Sequence, residues 1–316
     1  MKYLSYQDVL LVANYSELKT RDDADTSIQL CDRKFKLPVI PANMQDVINV
    51  PIAKFLSENG YFYIYHRFGQ GGYDKDANTP HFVKMANMEN WKLISISTGI
   101  NLQSEEDLFY IKSMKYRVDF ITIDVAHGDH GKVLERIKWI KENFPNVKVI
   151  AGNVMTPEAV GRLACAGADV VKIGIGQGSI CTTRFQTGFS MPMFSCIQEC
   201  AAIDTCIIAD GGIQHIGDIA KAVVAGADMV MSGKLFASCI DSPAEIINFK
   251  KEYRGSTSLS AKKTNKHIEG TELTLEVDTT IEERLREITE ALQSSISYAG
   301  GNDLSAFKKV RWIEGK

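Results

Sequence analysis

Eight short apolar runs, spaced at helix-sized intervals, constrain this chain more than any other feature of it. They fall near Leu37–Pro41, Tyr61–Tyr65, Leu93–Ser97, Phe120–Asp124, Val147–Ala151, Val170–Ile173, Cys206–Ala209 and Met229–Met231. Most are apolar without alternation, the pattern of parallel strands covered on both faces. Between them Ile52–Asn59, Glu105–Lys115, Gly131–Asn143, Pro157–Ala166 and His215–Ala225 carry helical periodicity. Thr156 before Pro157 and Glu158 reads as a helix start, with proline where its missing N–H costs nothing. Two helices end alike, at Ala166-Gly167-Ala168-Asp169 and Ala225-Gly226-Ala227-Asp228, so two βα units share one hinge.

Eight strands alternating with helices predict an α/β fold, a (β/α)8 TIM barrel, and a length of 316 residues suits one such catalytic domain over residues 1–316. A doubly wound sheet is the alternative, but the glycine fingerprint expected after its first strand is missing. After about residue 250 the pattern changes. Lys250–Lys266 is polar and reads as a long loop, a natural lid beyond the last barrel strand, and Ile281–Leu292 reads as a helix.

Charge narrows the ligand. Lys and Arg number 36 against 39 Asp and Glu, a net charge of -3, which argues against nucleic acid as a partner while leaving room for a small anion on local backbone amides. Seven cysteines with no CxxC pair argue against structural zinc and for a reducing compartment. Cys165 and Cys206 read as small buried filler. No leader-type cleavage pattern or run of about 18 apolar residues occurs, so the expected location is cytoplasmic, with no membrane partner.

The residues just past the strands are polar or glycine throughout: Asn43, His66 with Arg67, Thr98 with Gly99, Asp124 with His127, Asn153, Gly174 to Gly178, Asp210 to Gly212, and Ser232 with Gly233. Barrel active sites are built at those ends. The sharpest segment is GIGQGSICTTR, Gly174 to Arg184. Its alternate glycines bare the backbone to a ligand or a monovalent cation. Cys181 sits there among Ser179, Thr182, Thr183 and Arg184, a setting that suits a thiolate nucleophile. Gly211, Gly212, Gly233 and Ser179 could bind one phosphate through amides and a hydroxyl, and Asp210 could accept from ribose hydroxyls. His127 is a possible base, although a lone histidine at a loop start is more often structural.

At these residues the sequence resembles the IMP dehydrogenase and GMP reductase family. The likeness runs through YQDVLLV, LPVIPANM, ITIDVAHG, VIAGNVMTPEAV, GIGQGSICTTR, IIADGGI, GDIAKAVVAGADMVM, IEG and LQSSISYAGG, in order. The dehydrogenases usually carry a regulatory CBS insertion and a long flap with an Arg-Tyr pair. Tyr61–Phe68 runs on to Leu93 without room for the first, and Arg254–Gly270 lacks the second. YRGSTS, HIEG and LQSSISYAGG resemble the reductase branch, in its short bacterial form.

The resemblance implies NADPH-dependent conversion of GMP to IMP and ammonia through a covalent cysteine thioimidate. It implies Cys181 as nucleophile with Thr183 and Glu269 handling protons. Ser179, Asp210, Gly211, Gly212, Gly233, Lys234, Gly255, Ser256 and Gly270 fall on nucleotide positions. Arg67, Asp124, Val125, Ala126, Lys266 and Ser294 fall on cofactor positions. Thr20 and Arg21 match residues that reach a neighbouring subunit's cofactor, so a homotetramer is expected. Gly176, Gly178 and the Cys181 carbonyl match a potassium site. The chain departs from the family pattern at Gln177, where proline is usual, at Ser190 and Met193 in a usually glycine-rich stretch, and at Lys234. Two other readings remain: an IMP dehydrogenase without regulatory domains, and a purine-nucleotide-binding barrel without turnover.

Overall fold

The computed structural model describes residues 2–68, 78–258 and 268–315. Seven parallel strands pair in the spatial order Val39–Pro41, Met229–Ser232, Cys206–Asp210, Val170–Ile173, Lys148–Val154, Phe120–Asp124 and Ser95–Thr98. The eighth position is taken by residues 61–65. Tyr65 N–H donates to the Ser95 carbonyl at 3.0 Å, and Ser97 N–H donates to the Tyr65 carbonyl at 2.8 Å. On the other side Lys36 N–H reaches the Gly60 carbonyl at 3.0 Å. The seven paired strands and this short segment make a (β/α)8 TIM barrel, with the eighth stave held by a few hydrogen bonds rather than a full ladder. Its side chains compensate: Phe62, Tyr63, Ile64 and Tyr65 are all buried. Phe62 meets Phe35 and Phe120 edge-on at 5.1 and 4.9 Å, contacts worth roughly 0.5–1.5 kcal/mol each beyond their area.

The shared Ala-Gly-Ala-Asp hinges do matching work. Gly167 and Gly226 take φ of +110° and +117°, which a side chain resists, and release the chain into the next strand. The aspartate that follows then ties that strand to its predecessor. Asp169 accepts from Val149 N–H and Asp228 accepts from Ile207 N–H, both at 2.7 Å. A third aspartate, Asp119, does the same for Ile94 at 2.7 Å. In all three the aspartate's own N–H returns to the same residue's carbonyl, at 2.8 to 3.0 Å.

Several expectations need correction. Lys250–Arg254 is not loop. It is the middle strand of a three-stranded antiparallel sheet with Glu245–Ile247 and Glu272–Glu276. Its inward positions are Lys251 and Tyr253, both buried. Lys251 donates to the carbonyls of Ser242 and Ala244 at 2.7 and 2.9 Å. A buried lysine hides strand alternation from a reading based on apolar residues. Residues 259–266 of the expected lid lie outside the described residues. The last long helix runs Ile281–Ala299, past Leu292, with Leu292, Ile296 and Ala299 buried along one face and the Ser295 hydroxyl donating to the Ala291 carbonyl at 2.8 Å. Helices at Thr79–Met88 and Met193–Cys200 were not anticipated. The second is buried on nearly every face, so it has no polar side to betray its period. Cys165 is exposed and Cys206 half-buried, so neither is core filler, whereas Cys196, Cys200 and Cys239 are buried.

His66 closes the eighth stave. It stacks on Tyr65 at 4.7 Å, and its Nδ1 has no hydrogen-bond partner among the described residues. Burial holds the imidazole neutral, with its pKa lowered to about 4. A depressed value means the unfolded chain takes up a proton first. Stability is therefore complete above about pH 6.5 and falls as pH drops toward 4, by about 3 kcal/mol in all. Urea midpoints measured across this interval should fall steeply in the wild type and less steeply in His66→Phe. Parallel curves would contradict the assignment.

Candidate active site

The strands deliver their polar ends to one mouth. A cavity of about 200 Å³ opens there, walled by the Gly174–Cys181 loop, the Asp210–Ile213 turn, Met231–Lys234 and the Tyr253–Thr257 and Glu269–Gly270 segments. Every nucleotide position taken from the sequence lines it: Ser179, Asp210, Gly211, Gly212, Gly233, Lys234, Gly255, Ser256 and Gly270. Cys181, Glu269, Gly176 and Gly178 line it as well.

Glycine is required here by close approach. A Cβ at Gly174 would fall 2.1 Å from the Asp210 carbonyl, and one at Gly233 would fall 1.8 Å from the Tyr253 hydroxyl. Gly233 thus admits the buried Tyr253 ring to the cavity wall. Gly212 differs from expectation, since its N–H is taken by the Gln177 carbonyl at 2.9 Å. It shapes the cavity, and its amide is already engaged. Met193, one of the departures, is fully buried and fills the space between the Gly174 and Gly212 turns.

The cysteine loop is bound to the flap base. Cys181 forms an antiparallel bridge with Gly270. Thr271 N–H donates to the Ile180 carbonyl at 2.9 Å, and Thr182 N–H donates to the Glu269 carbonyl at 2.8 Å. That short ladder sets three side chains in line. The Cys181 thiol donates to Thr183 Oγ1 at 3.2 Å, and the Thr183 hydroxyl donates to Glu269 Oε2 at 2.7 Å. A proton can move along such a line without a large displacement. Arg184, expected beside the sulfur, instead lies over the Phe185 ring at 4.6 Å. The flap base is itself anchored, because Arg254 grips Asp46 through its backbone N–H, Nε and Nη2 at 2.8, 3.1 and 3.0 Å.

Beneath the cavity lies a charged network that the sequence reading missed. Lys172, 2% exposed, pairs with Asp124 at 2.9 Å and Asp210 at 2.5 Å. Asn43 donates to Asp124 at 3.1 Å, while Asn153 donates to Asp210 at 2.9 Å and to the Gly174 carbonyl at 2.7 Å. Burial alone would push the Asp124 carboxyl up, but the Lys172 ammonium outweighs it and holds Asp124 below the usual carboxylate range. Burial likewise disfavours the charged amine, yet the two carboxylates hold Lys172 protonated well above its ordinary value. The signal was present in the sequence: a lysine inside the otherwise apolar strand Val170–Ile173.

The expected cofactor residues divide into two groups. Asp124 belongs to the network and the Arg67 guanidinium helps to hold it charged; among the described residues the buried Arg67 Nε has no hydrogen-bond partner. Val125 is fixed by Gly152 and Asn153 backbone bonds at 3.0 and 2.9 Å, and Ala126 is exposed. Thr20, Arg21 and Ser294 are not part of the cavity wall. They gather around the last helix, where Arg21 donates to Ser294 Oγ at 3.3 Å and lies over the Tyr298 ring at 5.5 Å. Lys266 lies outside the described residues. His127 is exposed and away from the cavity wall.

Fold and site together define a TIM barrel whose C-terminal mouth carries a glycine-flanked cysteine tied through a hydroxyl to a carboxylate. Residues 3–314 match the IMP dehydrogenase / GMP reductase domain. The chain is 43% identical to a GMP reductase of Lactobacillus gasseri over 320 residues, covering 99% of this chain and 95% of that one. It is 43% identical over 323 residues to a GMP reductase of Staphylococcus saprophyticus, with the same coverage, and 42% identical over 325 residues to one of Staphylococcus aureus, covering 99% and 96%. The chain belongs to the IMP dehydrogenase / GMP reductase family.

Proposed function

We propose that this protein is a GMP reductase that converts GMP, NADPH and two protons to IMP, ammonium and NADP. The observation that carries the reading is the Cys181–Thr183–Glu269 line at the cavity mouth. Cys181 sulfur adds to C2 of the guanine base, its proton passing to Thr183 and Glu269. The C2–N bond then breaks, and Glu269 supplies a proton through the Thr183 hydroxyl, because an amine leaves readily only as its protonated form. A thioimidate between Cys181 and C2 remains. NADPH supplies a hydride to that carbon when bound, and the C–S bond breaks to return the thiolate.

The residues present suit the ligands. Asp210 can accept from ribose hydroxyls, while Lys234, which lines the same cavity, can face a phosphate. On the cofactor side we assign Arg67, Asp124, Val125, Ala126 and Lys266, supported by the buried Arg67 Nε, which has no hydrogen-bond partner among the described residues. Ser294 is assigned to the cofactor as well, and Thr20 and Arg21, the latter donating to Ser294 Oγ at 3.3 Å, to a neighbouring subunit's cofactor in a homotetramer. The carbonyls of Gly176, Gly178 and Cys181 are assigned to a potassium ion.

No helix among the described residues is long and apolar enough to cross a membrane. That is compatible with a cytoplasmic enzyme of nucleotide interconversion.

The test is direct. GMP with NADPH should consume the reduced cofactor and release ammonia, whereas IMP with NAD should produce none. Reduced cofactor appearing in the second mixture, with no consumption in the first, would replace the reductase by a dehydrogenase. No turnover in either would leave a binding barrel.

A further inference from the structure

Two of the residues that depart from the family pattern meet in space. Gln177 Nε2 donates to Ser190 Oγ at 2.6 Å, and the Ser190 hydroxyl passes the chain on to the Ile175 carbonyl at 2.8 Å. We propose that Gln177 and Ser190 form a clasp that positions Cys181, an inference that rests on the reaction proposed above. Between Gly174 and Ser190 the chain has one element of regular structure, the five-residue helix Thr183–Thr187. Its shape therefore depends on cross-links. One is the Cys181–Gly270 bridge to the flap. The clasp is another, tying residues 175 and 177 to residue 190.

The surroundings are shaped around it. A Cβ at Gly176 would lie 2.9 Å from Ser190 Oγ and 3.2 Å from its Cβ, so the serine packs directly on that glycine. The Gln177 backbone is fixed as well, its carbonyl accepting from Gly212 N–H at 2.9 Å. Residue 177 is thus held through its main chain to the Asp210 turn and through its side chain to the far end of the loop. Proline at 177 would restrict the backbone by its ring, and it carries no donor for Ser190. Glycine at 190 would offer no hydroxyl. Each departure makes sense only with the other: the pair replaces covalent stiffness with two hydrogen bonds. Neither side chain needs to touch substrate. Their effect reaches the chemistry through the placement of Cys181, four residues from one and nine from the other.

The test is a double-mutant cycle with two readouts. Gln177→Ala and Ser190→Ala should each lower kcat for GMP reduction about tenfold, with KM for GMP within about twofold, because a slightly misplaced nucleophile loses rate before binding. The double variant should fall no further than the worse single, since both remove one shared interaction. The second readout needs no turnover: the alkylation rate of Cys181 in free protein, resolved by peptide mass spectrometry. It should shift equally in both singles and the double. Multiplicative losses, unchanged kcat with raised KM, an unchanged alkylation rate, or variants that fail to fold would each overturn the clasp as a positioning device. A wild type without GMP turnover would instead sink the proposed function, and the alkylation series would still decide the clasp.

Discussion

Cys181→Ala should lower GMP turnover at least about 10⁴-fold while leaving the GMP dissociation constant within a few-fold of wild type. The asymmetry follows from the geometry. The sulfur is part of a cavity otherwise shaped by backbone turns and by Tyr253, none of which depends on the thiol. Thr183 keeps its hydrogen bond to Glu269 at 2.7 Å when the sulfur is gone, so the loop retains its tie to the flap. What disappears is the atom able to bond C2. Calorimetry gives the affinity, and loss of reduced cofactor gives the rate. Mass spectrometry of wild type quenched with GMP and no NADPH should reveal a covalent nucleotide lacking its amine, absent from the variant. Residual turnover within tenfold of wild type would remove Cys181 from the mechanism.

Lys172→Met should cost the fold about 3–5 kcal/mol, the usual consequence of removing one partner from an ion pair whose cation is buried and whose carboxylates are half-buried. The methionine fills the lysine's volume, so the loss reports charge rather than packing. The pH dependence has a definite sign. Asp124 is held below its unfolded value, so its contribution is complete above about pH 4 and is lost as pH falls through the folded value. Lys172 is held above its unfolded value, so its contribution is complete below about pH 10 and is lost as pH rises through the folded value. The gap in urea midpoint between wild type and variant should therefore be widest at intermediate pH and narrow toward both extremes. Adding Asp124→Asn to Lys172→Met should restore part of the loss. Equal midpoints throughout would mean that solvent, not Lys172, stabilises these carboxylates.

The barrel was legible because its strands are buried on both faces and announce themselves as apolar runs. The stave at residues 61–65 was legible for the same reason, although its hydrogen bonding is sparse. What escaped was polar residues performing interior tasks. Lys172 and Lys251 sit inside strands, where a charge conventionally argues for surface; Lys172 is satisfied by carboxylates distant in sequence, and Lys251 by the carbonyls of the turn that precedes its strand. Cys181, Thr183 and Glu269 were legible one by one through resemblance. Their arrangement in a line depends on a bridge joining positions 181 and 270, which spacing alone cannot reveal. The departures at Gln177 and Ser190 looked independent in the sequence, and their meaning is their contact.

The reciprocal aspartate rings at Asp119, Asp169 and Asp228 lie where their strands begin, while the cysteine loop and its partners lie where strands finish. Closure of the cylinder is thus secured on the rim opposite the reagents. Loop sequences on the reactive rim can drift, or be transplanted from a relative, without loosening the hoops that keep the staves together.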